Sequence, residues 1–244
     1  MKIPLMVKVY FRLRRGWKRL NDDAQQQVKQ FLLSQRRANG YLNAGGQVDA
    51  YYTQFGKVLE AVTSEGRVGK SSLFVYDTSL FKMLRLSRKP LVVKESMGRD
   101  TIYGQFFAFL SGDSHITPQP ASIQHPTTTA TCCILAMQHQ KGETLDASLI
   151  SWLKERQDES GGFRASEVAP LPDLLSTAVA LFTLQLIGER ARIGDGTSGT
   201  RQISAARFIE AHWLDMGNFA PTLLDDYSDV EYLFYGLLAL GSNE

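Results

Sequence analysis

One plan occurs three times along this chain, in residues 28–62, 149–188 and 205–241. Each stretch has an amphipathic helical pattern, a break with glycine and an aromatic residue, an aspartate, and a nearly uncharged helical pattern. A unit of this size cannot bury its apolar face alone, so the repeat predicts helical hairpins that stack on one another. The breaks are Asn39-Gly40-Tyr41, Gly161-Gly162-Phe163 and Gly217-Asn218-Phe219, and the aspartates are Asp49, Asp173 and Asp229.

The two helices of each unit differ in polarity. The first, in residues 28–37, 149–157 and 202–214, has a charged face, whereas the second, in residues 174–188 and 230–241, is apolar nearly all round. A helix with one polar face contacts water, and a helix that is apolar on all sides is enclosed by protein. The sequence therefore predicts an all-α fold, an α/α toroid, complete or incomplete, with polar-faced outer and apolar inner helices. At each break, glycine permits a left-handed cap and the aromatic ring is expected to pack beneath it.

The composition is that of an ordinary globular protein, with 43% hydrophobic and 21% charged residues among 244. This length suits one large domain, so we expect residues 1–244 to form a single toroid. The net charge of +2 gives no global reason to expect nucleic-acid binding. Cys132 and Cys133 are adjacent and cannot build a disulfide framework, which favours a reducing compartment such as the cytoplasm. No uncharged run approaches the ~18 residues that a membrane span needs.

Residues 1–20 predict a basic amphipathic helix, because they contain lysines and arginines but no acidic residue. Leu5, Val9, Leu13 and Trp17 follow at four-residue steps and share one face. The favoured interpretation is a helix docked on the protein with its basic face in water. The alternative is contact with an acidic phospholipid surface, with Leu13 and Trp17 at the interface.

Other helices are predicted outside the clearest repeats. A helix over residues 25–37 begins after an N-cap from residues 21–23, and a helix over residues 101–111 is capped by Asp100. The remaining predictions are helices over residues 48–62, 71–88, 126–138, 145–157, 173–188, 202–214 and 229–240, and loops over residues 112–126 and 190–201.

Several segments carry a family resemblance: residues 49–53, 151–157, 160–163, 172–177 and 229–240. Together they resemble the helical repeat of protein prenyltransferase β subunits and of squalene or terpene cyclases. The resemblance is good over residues 157–241, fair over residues 28–62 and vague between them. It implies an α/α toroid with a central cavity for an isoprenoid, and it specifies the fold better than the reaction, because unrelated chemistries share one scaffold.

The departures from that family concern its metal and acid motifs. Zinc-dependent members place an Asp-x-Cys pair and a histidine at the starts of inner helices, whereas here these positions read Asp173-Leu-Leu175, Asp229-Val-Glu231 and Tyr52. The closed nitrogen and sulfur ligand set that zinc favours is therefore not seen, and zinc is not expected. The Asp-x-Asp-Asp acid motif of the cyclases is also not present as written. Ordinary protein farnesylation or geranylgeranylation is disfavoured on these grounds.

An acidic stretch, Asp225-Asp226-Tyr-Ser-Asp229, has the spacing of an Asp-Asp-x-x-Asp motif. On one helix face these acids could hold Mg²⁺ against a diphosphate, since hard oxygen ligands suit hard cations. The stronger interpretation is structural: Asp229 holds the cap position of its unit, so the acids straddle a loop and a helix start.

Glu231 interrupts an inner helix that is otherwise apolar. A buried carboxylate is costly unless it is paired or functional, so Glu231 could act as an acid, a base or a cation partner at the rim of a central cavity. A satisfied structural carboxylate is an equal alternative. The inner helices are also rich in aromatic residues, whose π faces could steady a carbocation, although core packing explains most of them as well.

Two functions follow from these residues. The first is an isoprenoid-holding protein of the prenyltransferase or cyclase type, which transfers or cyclises a prenyl group if it is catalytic. The second is a non-catalytic binding or scaffold protein that kept the fold and contacts a protein partner. The candidate catalytic residues are Asp173, Asp229 and Glu231, and the candidate ligand-binding residues are Asp49, Tyr52, Asp225, Asp226 and Tyr232.

Overall fold

The computed structural model describes residue 3 and residues 5–64, 101–110, 126–191 and 204–243, without the Phe107 side chain. Helices make up 61% of these residues, which confirms an all-α protein. The helices are α1 (Leu5–Arg19), α2 (Asp22–Gln35), α3 (Ala50–Thr63), α4 (Ile102–Leu110), α5 (Thr128–Lys141), α6 (Ala147–Glu155), α7 (Leu174–Leu186), α8 (Ala205–Ala211) and α9 (Val230–Ser242).

Each glycine-aromatic break is a small antiparallel hairpin rather than a simple turn. In the first unit β1 (Arg36–Arg37), β2 (Gly40–Leu42) and β3 (Val48–Asp49) form a sheet in which Tyr41 pairs with Asp49. In the second, β4 (Phe163–Arg164) pairs with β5 (Pro172–Asp173), and Phe163 lies opposite Asp173. In the third, β6 (Trp213–Leu214) pairs with β7 (Asn218–Phe219). In the first two units the hairpin therefore fixes the aspartate beside the aromatic residue.

The aromatic residue of each break is buried, as the sequence predicts. Tyr41, Phe163 and Phe219 are at most 3% exposed. A Cβ atom on Gly56 would overlap the ring of Tyr41, and one on Gly236 would overlap the ring of Phe219. Both glycines lie seven residues after the aspartate of their unit, so a missing side chain on the following helix makes room for the ring.

The predicted difference between a polar-faced first helix and an apolar second helix is seen in burial in the second and third units, but α3 of the first unit buries only Gly56, Leu59, Val62 and Thr63. Helices α5, α7 and α9 are mostly buried, whereas α2, α6 and α8 bury only one edge. The inner helices pack in the order α5, α7, α9, α3, so the last helix of the chain lies beside the first unit. A Cβ on Gly217 of the third hairpin would overlap the backbone of Gln27 in α2, which places the third unit against the first.

Helix α1 packs against the C-terminal half of α9 and the C-terminal end of α3. Its apolar face is buried, with Leu13 0% and Trp17 4% exposed, which matches the favoured docked interpretation. Arg14 donates to the carbonyl oxygens of Val62 and Ser64 at the end of α3, and Arg19 donates to those of Leu240 and Asn243 at the end of α9. These carbonyls carry the negative end of the helix dipole, so the basic side chains complement it.

Several predicted boundaries are wrong for local reasons. Val48 and Asp49 belong to β3 rather than to α3, and Trp213 and Leu214 belong to β6, so α8 is shorter than predicted. Helix α4 is capped by Thr101, whose Oγ1 accepts from the Gly104 N–H at 3.1 Å. The helix predicted over residues 71–88 and nearly all of the loops predicted over residues 112–126 and 190–201 lie outside the described residues, as does Asp100.

Candidate functional site

The three repeat aspartates cap the N-terminal ends of α3, α7 and α9. Asp49 Oδ1 accepts from the Tyr51 N–H, Asp173 Oδ1 from the Ser176 N–H, and Asp229 Oδ1 from the Glu231 N–H, at 2.7 to 2.9 Å. An extended residue before the first helical turn can satisfy those free N–H groups with a short acceptor, which is why aspartate suits this position. Each aspartate therefore caps the N-terminal end of the inner helix in its own unit.

In the first and second units a threonine of the inner helix joins the hairpin to that helix by hydrogen bonds. The Tyr41 N–H donates to Thr53 Oγ1 at 2.9 Å, and the Phe163 N–H donates to Thr177 Oγ1 at 2.8 Å. Each hydroxyl in turn donates to the carbonyl oxygen of its unit's aspartate at 2.7 Å. Leu233 holds this position in the third unit, so that unit lacks the hydroxyl.

Contacts between units bring these helix starts together. The Tyr51 hydroxyl, on α3, donates to Glu231 Oε1, on α9, at 2.8 Å although the residues are 180 apart in sequence. The Leu174 N–H at the start of α7 donates to the carbonyl oxygen of Pro221, in the loop before α9, at 3.0 Å. The N-terminal ends of α3, α7 and α9 thus lie at one end of the molecule, opposite α1.

Glu231 and Asp229 form a partly desolvated acidic pair beside Tyr51 and Tyr52. Burial raises the pKa of Glu231, and the neighbouring Asp229 charge adds to the increase, while hydrogen bonds from Tyr51 and Tyr52 oppose it. Burial also raises the pKa of Asp229. The pKa of Tyr52 rises to about 12, chiefly through burial and then through the charges of Asp229 and Glu231. These carboxyls keep their protons to a higher pH than ordinary carboxyls do.

Aromatic rings lie directly beside this acidic pair. The Tyr51 and Phe55 ring centroids are 5.0 Å apart, as are those of Phe55 and Phe234, and both pairs meet edge to face. Tyr235 lies 5.5 Å from Phe234, and burial followed by the charge of Glu231 raises its pKa. The site therefore combines acidic groups with the electron-rich faces and edges of a continuous aromatic cluster.

Asp173 and Tyr232 lie at the edge of this group. Burial followed by the charges of Glu231, Asp229 and Asp173 raises the pKa of Tyr232, which places it between the second and third units. Asp173 itself binds Ser176 through both carboxylate oxygens. Burial raises the pKa of Asp173, and the nearby His212 ring opposes that increase. His212 is itself buried, which lowers its pKa, and its Nδ1 lies 2.7 Å from the Phe208 carbonyl oxygen.

Asp225 and Asp226 do not join the acidic pair. They lie in the loop before α9, where Asp225 Oδ2 accepts from the Thr222 hydroxyl at 2.6 Å and Asp226 is exposed. The motif therefore straddles a loop and a helix start, as the structural interpretation expects. Within the described segments no group of three or more His, Cys, Asp or Glu side chains could hold a metal ion.

Sequence reasoning missed His212 and the hydrogen bond between Tyr51 and Glu231. Tyr51 and Tyr235 belong to the aromatic residues of the inner helices that the sequence offers as a cavity lining. Tyr51 and Tyr52 are adjacent, and the family resemblance points to Tyr52, which occupies the family's histidine position. Tyr51 and Glu231 both lie two residues after their unit's aspartate, so the repeat places them at the same level, but it does not show that the first and third units are neighbours.

Searches against protein-family models, curated proteins and solved structures find no match to this chain. None of the described helices has both the length and the apolar content that crossing a bilayer requires. The family resemblance read from the repeat therefore remains an expectation, and the site carries the functional argument.

Proposed function

We propose that this chain is an α/α toroid that holds an isoprenoid-like molecule at the N-terminal ends of α3 and α9, as a prenyltransferase- or cyclase-like protein. One observation carries the proposal: the Tyr51–Glu231 hydrogen bond joins two inner helices directly beside the Phe55, Phe234 and Tyr235 cluster. An apolar chain would lie against the rings, and its reacting end would face the two carboxyls.

The electrostatics favour cyclisation of an uncharged chain over transfer from a diphosphate. The described residues 48–55 and 228–235, which carry the acidic pair and the aromatic cluster, contain no lysine or arginine, so a diphosphate would meet these acids only through a cation such as Mg²⁺. A protonated carboxyl can instead donate its proton to an alkene carbon. The new C–H bond leaves a carbocation, which the rings stabilise, and a carboxylate, which the Tyr51 hydroxyl stabilises. The carboxylate then removes a proton from the product cation.

Native mass spectrometry of the purified protein tests ligand binding. The probes are geranylgeraniol, farnesyl diphosphate and geranylgeranyl diphosphate, each with and without Mg²⁺. We expect a retained geranylgeraniol adduct that is weakened in Phe55→Ala, and turnover to a cyclic or rearranged product that is lost in Glu231→Gln. Glu210→Gln is the matched control, because Glu210 is exposed on α8.

The outcomes separate the alternatives. A Mg²⁺-dependent diphosphate adduct that Asp226→Asn abolishes would replace cyclisation with metal-assisted transfer and recruit Asp226 to the site. If no probe is retained by the wild-type protein, the isoprenoid proposal is wrong.

A second candidate, a non-catalytic scaffold, has one observation in its favour. Asp49, Asp173 and Asp229 all bind backbone N–H groups of their own helices, so helix capping accounts for each without chemistry. A retained lipid without any turnover in the wild-type protein would support this function.

A further inference from the structure

Most large apolar side chains that are exposed in the described residues gather at the end of the molecule that carries the site. Leu224 is 82% exposed and Val168 is 90% exposed, whereas such side chains are ordinarily buried. We call this set the apolar rim: Val48, Tyr51, Val168, Leu171, Leu223, Leu224 and Tyr227.

The rim is one surface because its three loops lead into adjacent helix starts. Val48 precedes α3, Leu171 precedes α7, and Leu224 precedes α9. The Tyr51–Glu231 hydrogen bond joins the first and third of these starts, and the Leu174–Pro221 hydrogen bond joins the second and third. Exposed apolar patches of this kind mark interaction sites.

The same loops are acidic and carry no basic residue. Residues 43–52, 165–176 and 221–232 contain neither lysine nor arginine, in a chain whose net charge is +2. The positive charge of the molecule therefore lies elsewhere. The acids of these loops are Asp49, Glu167, Asp173, Asp225, Asp226, Asp229 and Glu231.

We propose that the apolar rim docks a basic, leucine-rich segment of a partner protein over the candidate site. Apolar side chains of the segment would cover Leu223, Leu224 and Tyr227, and its lysines or arginines would face Glu167 and Asp226. An anionic lipid surface has the wrong charge for this end of the molecule. The rim shares Tyr51 with the candidate site, but docking on Leu223, Leu224 and Tyr227 does not require an isoprenoid to be bound.

The experiment measures binding of a fluorescent peptide of alternating lysine and leucine to the full chain by anisotropy, with no lipid present. We expect saturable one-to-one binding that weakens as salt is raised, since part of the attraction is between exposed charges. The double variant Leu223→Ser/Leu224→Ser should weaken binding by about tenfold or more, because two exposed leucines would no longer bury apolar surface against the peptide. Glu167→Lys with Asp226→Lys should weaken it and reduce its dependence on salt.

Two controls keep the test specific. Leu33→Ser removes an exposed leucine that lies on α2 and not on the rim, so the peptide should bind this variant as tightly as it binds the wild-type protein. A peptide with glutamate in place of lysine should not bind. The proposal is overturned if the rim variants bind the peptide as the wild-type protein does, or if phosphatidylserine vesicles bind this surface more tightly than the peptide. It is also overturned if the chain self-associates through the rim and thereby excludes the peptide.

Discussion

The free backbone groups at the two ends of the inner helices are satisfied by side chains of opposite charge. At the N-terminal ends, free N–H groups are satisfied by aspartates that belong to the same repeat unit, such as Asp49 and Asp229. At the C-terminal ends of α3 and α9, free carbonyl groups are satisfied by Arg14 and Arg19, which arrive from α1. The helix dipole explains the signs, with acids at the positive end and bases at the negative end.

The two ends differ in the sequence separation between the helix and its capping residue, and in whether another helix covers the end. The N-terminal caps are local and leave their end exposed, with the carboxyls and the apolar rim around it. The C-terminal end of α9 is capped by Arg19, which lies more than 200 residues away in sequence. This end is covered by α1, whose backbone contacts the backbone of α9. A covered end gives stability, and an exposed end leaves room for a ligand or partner.

The largest expected effect is loss of the covered end through Gly16→Ala. A Cβ atom at Gly16 would overlap the Leu237 carbonyl oxygen, and one at Gly241 would overlap that of Arg12, so α1 and α9 meet backbone to backbone. Because neither backbone atom can move like a flexible side chain, we expect a loss of about 3 kcal/mol in the free energy of unfolding. Urea denaturation measures this loss. Gly45→Ala, on an exposed loop where a Cβ would meet only the Asn43 Oδ1 at 3.3 Å, is the control and should cost under about 0.5 kcal/mol.

The contrast also explains what the sequence could predict. The repeat predicts the outer and inner helices, the aspartate caps and the buried aromatic residues, because these features are set by residues close together in sequence. It does not predict that Arg14 and Arg19 bind carbonyls of α3 and α9, or that Tyr51 reaches Glu231, because those contacts depend on how distant units pack. The short hairpins were missed because paired strands of two residues leave almost no alternation to detect.

At the exposed end, Thr177→Val tests whether the hairpin is held by its local hydrogen bonds. The buried Phe163 N–H would lose its acceptor, and an unsatisfied buried donor costs about 2 kcal/mol. Urea denaturation should show this loss, while Thr177→Ser, which keeps the hydroxyl, should lie close to the wild-type protein. Equal stability of all three proteins would mean that the hairpin needs no hydroxyl, as in the third unit with Leu233.

At the covered end, Arg14→Ala should cost about 1 kcal/mol. The side chain is part-buried and donates to two carbonyl oxygens at the end of α3, so both the hydrogen bonds and the dipole interaction are lost. Lys18→Ala removes the same formal charge from an exposed position on α1 and should change stability by under about 0.5 kcal/mol. If both variants lose the same stability, overall charge rather than carbonyl capping explains the basic helix.

The smallest effect on stability is expected from Glu231→Gln, and it should appear as a dependence of the free energy of unfolding on pH. Burial raises the pKa of Glu231 in the folded protein, so between the unfolded and folded pKa values the folded state binds more protons. The contribution of Glu231 to stability is therefore present below the ordinary glutamate pKa of about 4.3 and is lost as pH rises through the folded value. Glutamine stays neutral and can still accept from Tyr51, so the variant should match the wild-type protein near pH 4 and exceed it in stability at neutral pH.

The measurement is the free energy of unfolding of the wild-type protein and the variant by urea denaturation at several pH values between 4 and 7, with Glu210→Gln as the exposed control. A stability difference that shrinks as pH rises would mean that the folded protein favours the ionised form of Glu231. The pKa of Glu231 would then not be raised, and the carboxyl would not hold the proton that the cyclisation proposal requires.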